Sequence, residues 1–416
     1  MALGMLFFAM LYQVLDRGRL VELMSLWGFR PWEYPFLDTE TVMSALRCLR
    51  QGVDVFVANP CDPLERVYDY SPLWRVLAVF PVTQAWLAPV GVCVDIAFIS
   101  SLLLLPAARD RVATSVIIAG LVSTSVVFAV ERGNNDLIIF ALVSCAAALA
   151  GASRVPRLIG YGLIFLAGLL KYYPMLLMVT VARERPKTFL SIAAASVFIL
   201  AVLLAIGGHD LARALALIPI GPYFGDLYGA KNLPAGIADL SGSPEALVPY
   251  GQLVLSVLAF AAGVILGCRD KVRRDLAVLS APEQAFLLAG ALLIVGSFFT
   301  AQNIGYRAVH LILALSGLTA LWRAESGRRF YGIAAFAVLF LLWSEGFRTW
   351  LGFALDVSAG SGSGWKIRRL FWLGRELLWW GLVILLIEIA TSMLLRSDAA
   401  MAIGGWLQPS RRTPAR

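Results

Sequence analysis

Side chains that can do chemistry are concentrated in four short stretches of this 416-residue chain. In the first, residues 36–74, the three earliest acidic residues are Asp38, Glu40 and Asp54. A carboxylate beside a reacting hydroxyl can accept its proton as a general base. Carboxylates in an exposed loop are usually only solvated, so both interpretations of this stretch stay open.

The second stretch is ERGNND at residues 131–136, which contains the candidate substrate-binding residues Arg132, Asn134, Asn135 and Asp136. Guanidinium, amide and carboxylate groups at this density suit the binding of a polar, anionic substrate. The structural alternative is that Glu131 pairs with Arg132 while one of the two asparagines caps a helix.

The other two stretches place cations and phenols within or beside apolar runs. GLLKYYPM contains Lys171 and Tyr172, and TAQNIGYR contains Tyr306 and Arg307. A lysine inside a membrane-spanning run is costly unless it lines a cavity, so Lys171 is a strong functional candidate. Arg307 either binds an anion or extends its charge to the membrane interface.

The elements that must position these residues are membrane-spanning helices. The chain is 59% hydrophobic and only 15% charged, which is more apolar surface than a soluble core of this length can bury. The apolar runs are continuous and do not alternate, so they indicate helices and exclude an open sheet. The net charge of +8 lies mostly in short loops, where it orients spans, and it requires no nucleic-acid partner.

The sequence predicts an all-α polytopic membrane protein with about eleven transmembrane or re-entrant helices. The N-terminal run has no basic region and no cleavage site, so we interpret it as a retained first span. The expected spans are 1–15, 85–106, 112–130, 136–151, 158–182, 187–207, 250–267, 283–300, 305–322, 329–343 and 370–395.

We expect residues 1–416 to form one integral membrane domain. The clusters of arginine and lysine give its expected orientation in the membrane. They place loops 107–111, 268–282 and 323–329 in the cytoplasm, together with the tail 396–416. The large loop 16–84, with short interfacial helices, and a second loop, 207–249, are then external. The topology of the last two spans stays open, because basic residues between them would lie outside.

The run 158–182 has basic residues at both of its ends and Pro174 next to Lys171 near its middle. Both ends therefore look cytoplasmic, and a proline interrupts a helix. These observations predict a re-entrant pair of half-helices broken between Lys171 and Pro174, with Lys171 reachable from the external side.

The first external loop also holds Cys48 and Cys61, which are thirteen positions apart. An oxidising compartment would let them form a disulfide, and two unpaired thiols are the alternative. The histidines, His209 and His310, lack the spacing of metal ligands, so no His-based metal site and no cofactor are expected. A divalent cation bound by carboxylates stays open.

The order of the stretches FLDTETVMSALRCLRQGVDVFV, YDYSPLW, ERGNNDLIIFALV, GLLKYYPMLLM and FFTAQNIGYR resembles the GT-C superfamily of membrane glycosyltransferases. Within it, the chain is most similar to the branch of polyprenyl-phosphate-dependent mannosyl- and arabinosyltransferases. The resemblance covers about residues 30–325. It departs from the family at YSPLW, where a double proline is usual, and at ERGNND, where a Gln-containing tract is usual.

The resemblance implies an inverting enzyme of the cytoplasmic membrane whose active site is external. It would move a sugar from a polyprenyl-phosphate donor to a glycan or glycolipid acceptor among membrane lipids. Asp38 matches the position of the family's base, and the leaving phosphate needs positive charge, which Lys171 and Arg307 can supply. A transporter and another transferase or ligase of polyprenyl-linked glycans are the alternatives.

Overall fold

The computed structural model of the chain describes residues 15–218, 221, 223–324, 328–358 and 364–395. Two predicted segments therefore lie wholly or mostly outside the described residues: the first span, 1–15, and the tail, 396–416. Within the described residues, most of the chain is helical.

The first half contains α1 (Arg17–Leu26), α2 (Leu37–Arg50), α3 (Leu87–Ser101), α4 (Arg111–Leu121), α5 (Thr124–Arg132), α6 (Asn135–Leu149), α7 (Arg154–Leu170) and α8 (Pro186–Ala216). The second half contains α9 (Asn232–Ser241), α10 (Val248–Gly267), α11 (Asp270–Leu276), α12 (Ala281–Thr300), α13 (Leu311–Arg323), α14 (Arg328–Leu342), α15 (Ser344–Ser358) and α16 (Gly364–Leu394). Short 3₁₀ segments occupy Pro72–Val79, Gln84–Trp86, Leu102–Leu104, Tyr173–Arg183, Glu245–Leu247 and Gly305–His310.

Five of the described helical stretches are long and apolar enough to cross a membrane: Gln84–Leu104, Pro186–Ala216, Glu245–Gly267, Ala281–Thr300 and Gly364–Leu394. The number of possible spans rises to seven if each of two bent helix pairs is counted as one span. In these pairs α4 meets α5 at 45°, and α14 meets α15 at 65°. The protein is therefore an all-α polytopic chain. Where they fall within the described residues, the other predicted spans correspond to shorter helices, such as the 15-residue α6.

Helix α12 forms the centre of the molecule. In its most apolar window 83% of the residues are buried, and it packs against α13, α16 and α6. The matching window of α8 has 0% buried residues, although it is the most hydrophobic of the five. A helix that is apolar on all sides is stable either in a core or in lipid. Helix α8 is therefore a peripheral, lipid-facing helix.

The chain turns back between α7 and the 3₁₀ segment Tyr173–Arg183, where the sequence predicts a break. Pro174 is the second residue of this 3₁₀ segment, where its missing N–H is not needed. Arg157, near the start of α7, forms an ion pair with Glu184, just after the 3₁₀ segment. The two half-helices are thus side by side, with their far ends together and Lys171 at the tip.

Two boundaries differ from the sequence-based expectation. Helix α8 continues through Gly207 and Gly208 to Ala216, so the loop expected from 207 begins at 217. Glycine inside a helix costs only about 1 kcal/mol relative to alanine, and the flanking Ala and Leu residues sustain the helix. Helix α15 lies where a loop was expected after 343.

A short antiparallel pair of strands connects two distant loops. β1 (Leu227–Tyr228) pairs with β2 (Asn303–Ile304) in the register Leu227 to Ile304 and Tyr228 to Asn303. This pairing brings the loop after α8 against the segment between α12 and α13, which carries Tyr306 and Arg307.

Candidate functional site

A cavity of about 370 Å³ lies where the first loop, the α7 turn and the β1–β2 pair meet. Its lining includes four of the residues predicted from the sequence: Lys171, Tyr172, Tyr306 and Arg307. Two acidic residues that the sequence analysis did not select, Asp69 and Asp226, also line it. The cavity thus combines two cations, four phenols and two carboxyl groups.

Asp136 fixes the positions of both cations, although its own side chain is completely buried. The Lys171 ammonium lies 2.7 Å from Asp136 Oδ2, and Arg307 Nε lies 3.2 Å from the same oxygen. Tyr173 donates its hydroxyl to Asp136 Oδ1 at 2.5 Å and lies 2.6 Å from His310 Nε2. Both oxygens of the Asp136 carboxylate therefore already have partners within the protein. Asp136 orients the two cations and does not itself bind a ligand.

The turn between α5 and α6 places Asp136 at this position. Gly133 adopts a left-handed backbone (φ 55°), and an added Cβ would lie 2.6 Å from Thr39 Oγ1. Asn134 caps α6, because its Oδ1 accepts a hydrogen bond from the Asp136 N–H at 2.8 Å. The capping role proposed as a structural alternative for this stretch is therefore present in the structure.

Asp38 is anchored to the same turn. Asn134 Nδ2 donates to Asp38 Oδ2 at 2.6 Å, and an Arg66 nitrogen lies 3.8 Å from Oδ1. The backbone N–H of Phe36, which has a strained φ of 72°, donates to the Glu131 carbonyl at 2.8 Å. Asp38 is only 7% exposed and does not line the cavity. Its charge nevertheless acts on Tyr70 and Tyr306, which do line it.

The remaining predicted residues are not at the cavity surface. Glu40 is buried and pairs with Arg47 at 2.5 Å, whereas Asp54 is on the protein surface, paired with Arg213 of α8. Arg132 lies 4.9 Å from the centre of the Phe128 ring and 3.3 Å from Glu131. Asn135 is buried, and its Nδ2 has no hydrogen-bond partner in the described part of the chain.

A disulfide joins Cys48 to Cys61, whose Cα atoms are 5.8 Å apart. It links the end of α2 to the loop that leads to Asp69. Arg66 of that loop pairs with Asp62 at 2.8 Å and donates to the Leu37 carbonyl at 2.9 Å. The disulfide and these contacts hold the loop against the start of α2, where Asp38 lies.

Burial shifts the pKa of each of the two additional acids upward. It raises the pKa of Asp69, while the nearby charges of Lys171 and Arg307 act in the opposite direction. Burial, together with the Glu345 carboxylate, raises the pKa of Asp226 to about 7. Neither acid stands out in the sequence, because each lies in a loop and reaches the cavity only through tertiary contacts.

A buried ionic network supports the loop that carries Asp226. Arg375 of α16 pairs with Glu345 at 2.9 Å and with Glu376 at 3.0 Å. The same guanidinium donates to the carbonyls of Gly225 and Leu227, each at 2.9 Å. Breaking a buried pair of this kind typically costs about 3–5 kcal/mol. The cavity wall therefore depends on α15 and α16.

An apolar groove of about 460 Å³ lies beside the cavity. Ser71 and Tyr172 line both spaces, so they mark the boundary between them. The other walls include Met175 and the α8 residues Leu200, Leu203 and Leu204. A polar, cationic space therefore adjoins an apolar one against the lipid-facing helix.

Among the described residues, no group of three or more His, Cys, Asp or Glu side chains is arranged to hold a metal ion. No protein-family model, no curated protein and no solved structure matches this chain. A function for it is therefore argued from the chemistry of the cavity.

Proposed function

We propose that the chain is a GT-C-like membrane glycosyltransferase with about eleven transmembrane or re-entrant helices. It moves a sugar, such as mannose or a similar hexose or pentose, from a polyprenyl-phosphate donor to a glycan or glycolipid. The reaction takes place at the outer face of the cytoplasmic membrane.

The observation that carries this proposal is the boundary between the cationic cavity and the apolar groove. A polyprenyl-phosphate sugar has an anionic group between a sugar and a long apolar chain. The phosphate fits beside Lys171 and Arg307, and the chain fits against α8, with Tyr172 and Ser71 between them. Charge-assisted hydrogen bonds to phosphate are among the strongest available to a protein.

In the proposed reaction, Asp38 accepts the proton of the acceptor hydroxyl while that oxygen attacks the anomeric carbon. The bond between the anomeric carbon and the phosphate oxygen breaks, and the polyprenyl phosphate leaves without needing a proton. Lys171 and Arg307 stabilise the charge that develops on the leaving phosphate. Asn134 and Arg66 orient the base. Asp69, which lines the cavity directly, is the rival for this role.

The direct test is to incubate purified protein in lipid with a panel of radiolabelled polyprenyl-phosphate sugars and to follow label transfer. We expect transfer from at least one donor. Lys171→Ala should weaken donor binding by about 10- to 100-fold, because it removes a charge-assisted contact. Lys187→Ala, which changes an exposed lysine of α8, is the matched control. Equal behaviour of the two variants, or no transfer with any donor, would contradict the proposal.

The bent helix pairs favour a second candidate, a transporter, because transporters often place substrates at broken helices. The same experiment separates the two functions. A transporter would move a lipid-linked sugar across the bilayer without changing its covalent structure. Label found only in larger, diphosphate-linked glycans would instead indicate another transferase or ligase of polyprenyl-linked glycans.

A further inference from the structure

A second cavity, of about 340 Å³, lies at the opposite ends of the elements that build the first. It is lined by α6, α7, the 3₁₀ segment Tyr173–Arg183 and the start of α12. Along α7, Tyr161 in this cavity and Lys171 in the first are separated by roughly 15 Å at the rise of a helix. The two spaces are therefore separate sites that share the same helices.

Most of the wall of this second cavity is small and apolar. Ala146, Ala147, Ala150, Ala285 and Ala289 contribute methyl groups, and Gly160 lies close to the backbone of α6. Small residues leave a smooth surface against which a hydrocarbon chain can lie. The space is not closed, because several of its lining side chains, including Arg183 and Ala285, are partly exposed.

The polar end of the second cavity contains two arginines in different situations. Arg157 pairs with both oxygens of Glu184, and Tyr161 donates to the same carboxylate at 3.2 Å. Arg183 also lines the cavity, but in the described part of the chain it has no hydrogen-bond or ion-pair partner. A half-buried guanidinium has lost part of its hydration, and an anion in the cavity would compensate for that loss.

We propose that this second cavity binds one anionic phospholipid, with its phosphate on Arg183 and an acyl chain along the alanine wall. The planar guanidinium suits two oxygens of a phosphodiester, and Glu184 cannot neutralise it because Arg157 and Tyr161 occupy that carboxylate. Arg154, one helical turn before Arg157 at the start of α7, acts electrostatically on Glu184 and adds positive charge at this end of the cavity, which favours anionic over zwitterionic lipid. This inference does not depend on the proposed glycosyl transfer.

The test measures lipid retention by the full-length protein with native mass spectrometry. The protein is released from detergent after incubation with phosphatidylglycerol or with phosphatidylcholine of the same acyl chains. We expect phosphatidylglycerol to be retained about tenfold more strongly than phosphatidylcholine. Inorganic phosphate should not displace it, since a free anion makes no contact with the alanine wall.

Three variants locate the site. Arg183→Gln should lower phosphatidylglycerol retention about tenfold, because it removes the bidentate charge. Ala285→Phe keeps Arg183 but fills the cavity, so it should lower retention as well. Arg185→Gln is the control, since this exposed arginine two positions away does not line the cavity. Unchanged retention in Arg183→Gln, equal loss in Arg185→Gln, or displacement by phosphate alone would overturn the proposal.

Discussion

Asp136 shows how a single buried carboxylate can organise a site without binding the ligand. Lys171 and Arg307 both contact its Oδ2, and one negative charge therefore compensates for only part of their positive charge. The surplus positive charge is available to an anion in the cavity. These cations could be selected from the sequence because charge inside an apolar run is conspicuous. Asp69 and Asp226 could not, because acids in loops are common and only the fold brings them together.

Asp38→Asn should abolish sugar transfer and leave donor binding intact. The amide keeps the shape of the side chain but cannot accept the acceptor proton, and loss of a positioned base usually lowers the rate by about a hundred- to ten-thousand-fold. Turnover and donor affinity should be measured on the same preparation. Asp69→Asn is the comparison, since Asp69 lies directly on the cavity. If Asp69→Asn is inactive and Asp38→Asn is not, the role of base belongs to Asp69.

Donor binding should weaken as the pH rises through about 7. Below this pH Asp226 is neutral, because burial and Glu345 raise its pKa to about 7, and above it the carboxylate repels the donor phosphate. The phosphodiester itself keeps its charge throughout this range. We expect affinity to fall on the order of tenfold between about pH 6 and about pH 8.

Asp226→Asn should remove this pH dependence, because an amide does not titrate. Glu245→Gln, an exposed acid outside the cavity, should retain it. Affinity is measured by titration with a short-chain isoprenyl phosphate sugar at each pH. A pH dependence that persists unchanged in Asp226→Asn would assign it to another group.

At the scale of elements, the apolar pattern predicts helices well and their interruptions poorly. The turn after Leu170 could be predicted because Lys171 and Pro174 mark it. The bend between α4 and α5 could not, since only Val122 and Ser123 separate two apolar helices there. Helix α15 was missed because it carries charged residues, including Glu345 and Arg348, which form an ion pair with each other, while Glu345 also pairs with Arg375.

The disulfide should stabilise the loop that approaches the cavity. Cys48→Ser with Cys61→Ser should lower the free energy of unfolding by about 3 kcal/mol, as the chain-entropy estimate gives for a loop of this length. Thermal unfolding in detergent measures this difference. The parent protein treated with reductant should show the same loss, whereas replacement of the free Cys268 should have no effect. Equal stability of the double variant and the parent would contradict the role of the disulfide.

The whole molecule has a polar end, with the first cavity and the disulfide loop, and an opposite end with clustered basic residues. On the expected topology the first is external and the second cytoplasmic. In a background without Cys93, Cys145 and Cys268, an impermeant thiol reagent should label Glu245→Cys from outside. It should label Arg274→Cys only after the membrane is opened. Both positions are exposed, so labelling of Arg274→Cys in intact cells would reverse the topology.

The turn at Lys171 also means that this segment does not change the side of the membrane on which the following chain continues. Because Arg157 and Glu184 are joined, the segment enters and leaves on the same side, and it adds no net crossing. An error in the orientation of the first span, which precedes every element of both cavities, would therefore invert both cavities together and leave their internal contacts unchanged. Correct assembly of the helices alone does not guarantee that the first cavity faces its substrates; that depends on the basic loops read during insertion.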